Sequence, residues 1–285
     1  DNNIKLKISY DRFLDIAISS SLKTHEAEHG EGFWTDHWHY NIDLLNSYLK
    51  LYPEKLEETI FKNKDFTFFD NAQVVKPRSE KYLIYNGLPR QLHAVASDNL
   101  KKEMLHKRGK LVHVVRTRFG QGEPYKTTLI NKLLCILSNK FSSLDPFGIG
   151  VEMEADKPNW FDALNGLPAL FGSSLCETYE LKRLALFIQE TLRSTGIDRL
   201  SINDEIFLFI KELVRLTLDF FNNRSDDFSW WDQAQTLKEN YRAKVKLGVS
   251  GNETEIAAHE IMAIVETLLK KIDAGIIKAG DKKEN

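Results

Sequence analysis

The stretch between Phe147 and Ser174 carries the residues best suited to chemistry. Trp160 and Asp162 stand two positions apart in it, and Asn165 follows in a turn. A tryptophan offers a flat apolar platform for a sugar ring, and a carboxyl beside it is partly desolvated, as a proton donor to a leaving oxygen must be. Spacing alone leaves a second interpretation open, in which Asp162 caps a short helix.

Three carboxylates precede this tryptophan at alternate positions, namely Glu152, Glu154 and Asp156. In an extended segment, side chains two residues apart project from the same side. Like charges on one face raise the pKa of at least one carboxyl, and a general acid near neutral pH needs a raised pKa. A solvated, charged edge is the alternative interpretation of the same spacing.

A second cluster of aromatic and polar residues lies at Gly32–Asn41. Such a density of stacking and hydrogen-bonding groups is typical of carbohydrate recognition, and its substrate-binding candidates are Trp34, Asp36 and Trp38. The same residues also fit a helix start, with Thr35 or Asp36 as the cap and Trp38 on the buried stripe. The two interpretations are compatible.

Other classes of site find less support in the sequence. His25, His29, His37 and His39 lie close together, but no HExxH or CxxC framework accompanies them, so we expect no metal and no organic cofactor. The glycines of Arg118–Lys126 match neither the Walker nor the dinucleotide spacing, and they predict a turn before a Pro-led helix. The sequence contains no GxSxG motif, which disfavours a serine nucleophile.

Length and composition favour one large domain over residues 1–285, with a disordered tail at 279–285. The chain is 42% apolar and has a formal charge of -2, which leaves no electrostatic footprint for nucleic acid. Cys135 and Cys176 lie in apolar helical patterns, which predicts buried thiols in a reducing compartment. Because the sequence shows neither a signal segment nor a long apolar run, we expect no membrane partner and a cytoplasmic location.

The helical periodicity of the sequence predicts the helices that position these residues. Ser174 and Glu177 form a capping box, and Gly196 provides a stop. Between them, five apolar residues follow the spacing of one buried stripe. They are Leu181, Leu184, Ala185, Ile188 and Leu192.

Three more helices are predicted after this one, beginning near Ser201, Ser225 and Glu255, with Trp231 facing inward in the second. Short connections between consecutive helices indicate stacked antiparallel hairpins. The first half predicts further helices and, between them, short strands or extended loops. The helices are expected at 5–20, at 40–51 and after Pro124, and the extended segments at 66–75 and 111–118.

These residues together resemble the cellobiose phosphorylase family (glycoside hydrolase family ninety-four). Asn159–Leu184 is similar to the family segment that reads Asp-Trp-Asn-Asp-Gly-Met-Asn and then Gly-Glu-Ser before a helix. Phe33–Glu54 is similar to the family's N-terminal barrel helices. The resemblance implies a mainly α fold, an (α/α) barrel of six helical hairpins, and assigns the general acid role to Asp162. Asp36 matches a sugar-holding aspartate of the family, although Thr35 replaces the arginine before it.

The implied activity is cleavage of a glycosidic bond with inversion, by a glycoside phosphorylase acting on gluco-oligosaccharides with inorganic phosphate as co-substrate. The family's phosphate-holding histidine and Thr-Gly-Ser elements are missing from the sequence. If water attacks instead, an inverting hydrolase needs a second carboxylate, for which Glu154 and Glu177 are the candidates.

A non-catalytic sugar-binding or scaffold domain is the other alternative that the sequence leaves open. About eight helices are predicted where a full barrel needs about twelve, so the chain is expected to be a barrel or part of one. Besides the oligosaccharide, the expected partners are a second copy of the chain or the remaining part of a longer polypeptide.

Overall fold

The computed structural model describes residues 7–21, 37–91, 95–152 and 172–280. Helices account for most of these residues, and the predicted mainly α fold class is confirmed. The α-helices are α1 (Tyr10–Ser20), α2 (His37–Leu51), α3 (Arg78–Lys81), α4 (Asn99–His106), α5 (Leu129–Phe141), α6 (Leu175–Ser194), α7 (Asp204–Phe221), α8 (Asp227–Val245) and α9 (Ala258–Gly280). Shorter helical segments cover Pro53–Lys55 and Glu58–Lys62, and Arg118–Gly120 forms a tight turn with positive φ angles.

The strands form small antiparallel pairs. They are β1 (Gln73–Val75) with β4 (Val95–Ser97), β2 (Tyr82–Tyr85) with β3 (Leu88–Gln91), β5 (Val151–Glu152) with β6 (Ser173–Ser174), and β7 (Arg199–Asn203) with β8 (Glu253–Ala257). Isolated bridges join Phe66 to Thr127 and Phe69 to Val114. The predicted extended segments in the first half are therefore present as short strands and bridges.

The hydrophobic core lies between α5, α6, α7 and α9. The stripe predicted on α6 is buried along its whole length, since the least buried of its five residues, Leu192, is 3% exposed. Phe141 and Trp230 meet edge to face at 5.3 Å within this core. Each fully buried large apolar side chain stabilises the folded state by about 1.5–3 kcal/mol, so this one stripe anchors α6 between its neighbours.

The helices run antiparallel to their sequence neighbours, which gives the bundle two ends. At the β7 end, α7 follows Asn203 and α9 follows Ala257, so the two helices begin from opposite ends of the same antiparallel β7–β8 pair. At the opposite end, which we call the β5 end, α6 begins directly after β6 and α8 begins beside the end of α9. Of the four consecutive helices expected to stack as antiparallel hairpins, α7 and α8 form a packed hairpin in which Trp230 donates to the Thr217 hydroxyl, whereas α6 packs against α9.

Three predicted helix starts were wrong. Ser201 lies in β7, and Asn203 caps α7 instead, accepting from the Ile206 N–H at 3.2 Å. Glu255 lies in β8, and α9 begins at Ala258. Pro124 does not lead a helix either, because it bridges to Arg116 and α5 begins later, at Leu129.

Two predicted side-chain environments also needed correction. Trp230, not Trp231, is the fully buried tryptophan of α8, while Trp231 is half-buried. Cys176 is exposed on the first turn of α6, because it points away from the stripe that begins at Leu181. Cys135 is half-buried, and burial raises the pKa of its thiol. No helix in the described part of the chain is both long and apolar enough to cross a lipid bilayer.

Candidate functional site

A buried carboxylate on α6 forms the centre of the candidate site. Glu177 has none of its side chain exposed, and one of its oxygens, Oε2, accepts a hydrogen bond from the Trp38 indole Nε1 at 3.0 Å. Its other oxygen, Oε1, lies 2.9 Å from His39 Nε2. Trp38 and Glu177, which the sequence proposed from two distant segments, are therefore brought into direct contact.

A lysine from α5 completes this cluster. Lys140 Nζ lies 3.4 Å from Glu177 Oε2, and it also lies 5.4 Å from the centroid of the Trp38 ring. The starts of α2 and α6 and the end of α5 therefore meet through four side chains at the β5 end. We call Trp38, His39, Lys140 and Glu177 the Glu177 cluster.

Local sequence explains why Glu177 occupies this position. Ser174 caps α6, accepting from the Glu177 N–H at 3.4 Å, so the N-cap half of the predicted capping box is confirmed. The other half was wrong, because the Glu177 carboxylate contacts Trp38 and His39 and does not turn back to the Ser174 N–H. A residue in the first turn of a helix points toward that helix's N-terminus. Arg183 then ties α6 to α2 by contacting Asp43 and by donating to the His39 carbonyl at 3.5 Å.

The electrostatics of the cluster favour an ionised carboxylate. Burial by itself would raise the pKa of Glu177, but the contacts with His39, Lys140 and Trp38 outweigh it and lower the pKa below its usual value. At neutral pH Glu177 is therefore an acceptor and not a proton donor. Because Oε2 accepts from Trp38, Oε1 lies against His39 and none of the side chain reaches solvent, the geometry of Glu177 suits holding Trp38 and His39 in place.

Trp38 itself is built into the wall of the cluster. It is 9% exposed, and the His39 ring meets it edge to face with centroids 4.5 Å apart. A sugar that stacks on a tryptophan needs one open ring face. Trp38 therefore suits support of neighbouring residues better than direct stacking on a substrate.

A second polar cluster fixes the edge of the β5–β6 pair. Glu152 accepts hydrogen bonds from the Trp231 Nε1 at 3.0 Å and from the Gln235 Nε2 at 2.9 Å, both on α8. The strand register places Glu152 opposite Ser173. Glu152, one of the three alternating carboxylates, is thus held by the helical bundle.

Asp145 organises the turn that leads into β5. Its carboxylate accepts from the backbone N–H groups of Ile149 and Gly150, each at 2.9 Å, and from the Ser173 hydroxyl at 2.7 Å. A carboxylate that satisfies several backbone donors fixes a turn tightly. Asp145 and Glu152 together therefore give residues 145–152 a defined path at the β5 end.

Six of the predicted site residues lie outside the described residues. They are Trp34, Asp36, Glu154, Trp160, Asp162 and Asn165. Three of the described residues that flank these segments, His37, Glu152 and Ser173, belong to the β5 end. Residue 37 begins α2, and Glu152 and Ser173 are paired across the other segment.

Sequence reasoning missed the role of two members of the Glu177 cluster. It considered His39 as one of four clustered histidines and as a polar member of the aromatic cluster at Gly32–Asn41, and it did not single out Lys140. Both residues contact Glu177 from positions far away in the sequence, so no local sequence pattern predicts these contacts. Among the described residues, no group of His, Cys, Asp and Glu side chains is arranged to hold a metal ion.

Comparison with known proteins adds no assignment to this geometry. No protein-family model matches the sequence, and no curated protein matches it significantly.

Proposed function

We propose that this chain forms all or part of a catalytic domain that cleaves glycosidic bonds with inversion, as a glycoside phosphorylase acting on gluco-oligosaccharides. One observation carries the proposal. Trp38 and Glu177 come from the two segments that resemble the cellobiose phosphorylase family, and they bond at 3.0 Å in the fold. Two segments that form one site in that family are therefore in contact here through described residues.

In the proposed reaction, Asp162 donates a proton to the departing glycosidic oxygen. The bond between the anomeric carbon and that oxygen breaks, and a phosphate oxygen forms a new bond to the anomeric carbon from the opposite face. Phosphate arrives as an anion, so the attack requires no protein base. Trp34, Asp36, Trp160 and Asn165 are the proposed substrate contacts, and no metal or organic cofactor takes part.

The Glu177 cluster has a supporting role in this proposal. Glu177 holds the start of α2 by its contacts with Trp38 and His39, which follow directly after the segment that contains Trp34 and Asp36. If water is the attacking group, Glu154 is the proposed base, because the Glu177 side chain is fully buried and its Oε2 already accepts from Trp38. In an inverting hydrolase the two carboxyl groups stand about 6.5–9.5 Å apart.

The location and assembly belong to the same proposal. Both cysteines are free, as in a reducing compartment. We infer a cytoplasmic location, where inorganic phosphate is abundant, and either a homodimer or assembly with the rest of a longer chain.

The test is sugar release from a panel of β-linked gluco-oligosaccharides, with and without inorganic phosphate, using the full-length natural polypeptide. We expect phosphate-dependent formation of sugar 1-phosphate, and a loss of about a thousandfold in Asp162→Asn because the general acid is removed. Asp15→Asn is the matched control, since Asp15 is exposed on α1 and should leave the rate unchanged.

The other outcomes contradict the proposal in different ways. Free sugar without phosphate would identify a hydrolase and make Glu154→Gln the next variant. Binding of oligosaccharides, followed by tryptophan fluorescence, without turnover would identify a sugar-binding domain. Full activity in Asp162→Asn would remove Asp162 from the mechanism.

A further inference from the structure

A tight turn at the β7 end holds two non-glycine residues in the left-handed backbone region. Arg118 has φ 49° and Phe119 has φ 52°. The Gly120 N–H donates to the Thr117 carbonyl at 3.1 Å, which closes a type I′ turn around them. Most side chains crowd the backbone in this conformation, so Asn and Gly are strongly preferred at the two central positions.

The turn between β2 and β3 follows that preference. Asn86 and Gly87, with φ 51° and 74°, join β2 to β3 in a two-residue hairpin turn. The Asn-Gly pair makes that turn without strain. Arg118 and Phe119 therefore occupy their turn at a cost in backbone energy that the Asn-Gly turn avoids.

Neighbouring backbone fixes the strained turn. The N–H groups of Arg118 and Phe119 donate to the carbonyls of Ser250 and Val249, at 3.1 and 2.9 Å respectively. A Cβ atom at Gly248 would lie 2.5 Å from backbone atoms of the turn, so the two loops pack in direct backbone contact. Strained conformations persist where the surroundings over-determine them, and such places are often functional.

The side chains held by this turn face outward. Arg118 is exposed, and Phe119 is 43% exposed. Within the described part of the chain, the Arg118 guanidinium has no hydrogen bond or ion pair. Within those residues, the Arg118 side chain thus contributes no polar contact to the fold in return for its strained backbone.

The turn belongs to the most basic part of the chain. Residues 99–123 contain seven Lys or Arg and only two Asp or Glu, in a protein whose formal charge is -2. Lys107 and Lys110 are exposed there, and the Lys110 carbonyl is tied to the turn region by a 2.8 Å hydrogen bond from Arg116. Lys101 and Arg108, in contrast, are buried against Asp70.

We propose that Lys107, Lys110, Arg118 and Phe119, which we call the turn surface, form a preformed docking surface for an acidic polypeptide segment. Their charge complements an acidic partner, and arginine and aromatic residues contribute most to binding at protein interfaces. Side chains on the outside of a turn suit a protein partner better than a small molecule, which needs a concave pocket. Three cations on a near-neutral chain are few for nucleic acid, whose affinity rises with the number of phosphates contacted.

Arg118→Asn tests the proposal, because it should change binding and stability in opposite directions. Asparagine adopts the left-handed region readily, so relief of strain should raise the melting temperature by about 2 °C. Loss of the guanidinium should weaken binding of a fluorescein-labelled peptide of alternating glutamate and leucine by about tenfold at low salt. The measurements are fluorescence anisotropy and thermal denaturation of the full chain.

Two further variants sharpen the comparison. Arg118→Lys keeps the charge and should retain most of the peptide affinity without the gain in stability. Arg193→Asn removes an exposed arginine from the end of α6 and should leave peptide binding unchanged.

Three results would overturn the proposal. One is the absence of saturable binding of the acidic peptide to the unaltered chain. Another is equal peptide affinity in the unaltered chain and Arg118→Asn. The third is tighter binding of single-stranded DNA or of anionic lipid vesicles than of the acidic peptide, which would assign the surface to a different partner class.

Discussion

Glu177 carries a negative charge that side chains from α2 and α5 enclose. Its lowered pKa means that the folded state holds the ionised form more tightly than the unfolded chain does. The contribution to stability is therefore fully present above the ordinary glutamate pKa of about 4.5, and it is lost as the pH falls through the lowered value.

We expect Glu177→Gln to lower the free energy of unfolding at pH 7 by about 2 kcal/mol, since it replaces charged hydrogen bonds with neutral ones. The difference from the unaltered protein should shrink in acid, where Glu177 is protonated in both states. Urea unfolding at several pH values measures this. Glu190→Gln, an exposed change on the same helix, is the control, and a difference that stays constant with pH would contradict the assignment.

Asp227 neutralises a buried lysine. Here the effect of burial on the pKa outweighs the ion pair, the opposite of the case of Glu177. Lys271 Nζ lies 2.6 Å from Asp227 and 3.5 Å from the centroid of the Phe220 ring, with 3% of its side chain exposed. Burial lowers the pKa of Lys271, and Asp227 partly offsets this effect.

Asp227→Asn should destabilise the fold by about 3 kcal/mol, because it leaves the Lys271 ammonium buried without its counter-charge. Chemical denaturation of the variant and of Asp198→Asn, an exposed aspartate, measures the effect. A loss equal to that of the control would show that Lys271 is compensated by other groups.

At the scale of elements, the sequence predicted helices well and their starts poorly. The stripe of α6 was predictable because five residues repeat at the helical period and Ser174 caps it. The strands β7 and β8 were missed because Leu200, Ile202 and Ile256 are apolar residues directly before a helix, where they continue its apolar pattern. Only the pairing between Arg199–Asn203 and Glu253–Ala257, about fifty residues apart, distinguishes the two possibilities.

For the candidate site, the sequence predicted two of the residues but not the contacts between them. Trp38 and Glu177 were identified by residue type, but their bond joins residues 139 positions apart, and such pairings are set by the packing of helices. His39 and Lys140 enter the site only through that packing. Local sequence thus proposes chemistry, while tertiary contacts decide which residues support it.

At the scale of the whole molecule, α1 differs from the other long helices. Ser9 caps it, and its sequence is amphipathic, but none of its residues is buried. Most helical stability in proteins comes from packing of the apolar face. This helix therefore contributes little to the stability of the bundle.

Removal of residues 1–21 should therefore change the melting temperature by less than about 2 °C. Circular dichroism during heating provides the measurement, with the shape of the transition as a check on cooperativity. A fall of several degrees would show that the apolar face of α1 is covered in solution.

The pairing of Glu152 with Ser173 also affects which changes in sequence length the fold can accept between these two residues. The pairing fixes the two ends of the segment between Glu152 and Ser173 next to each other. The neighbouring helices can therefore keep their positions when the length of this segment changes. Lengthening a closed loop is inexpensive in entropy, about 0.6 kcal/mol for each doubling. The β5–β6 pair is therefore a natural graft point, at which sequences of different length and specificity can be exchanged while the bundle remains the same.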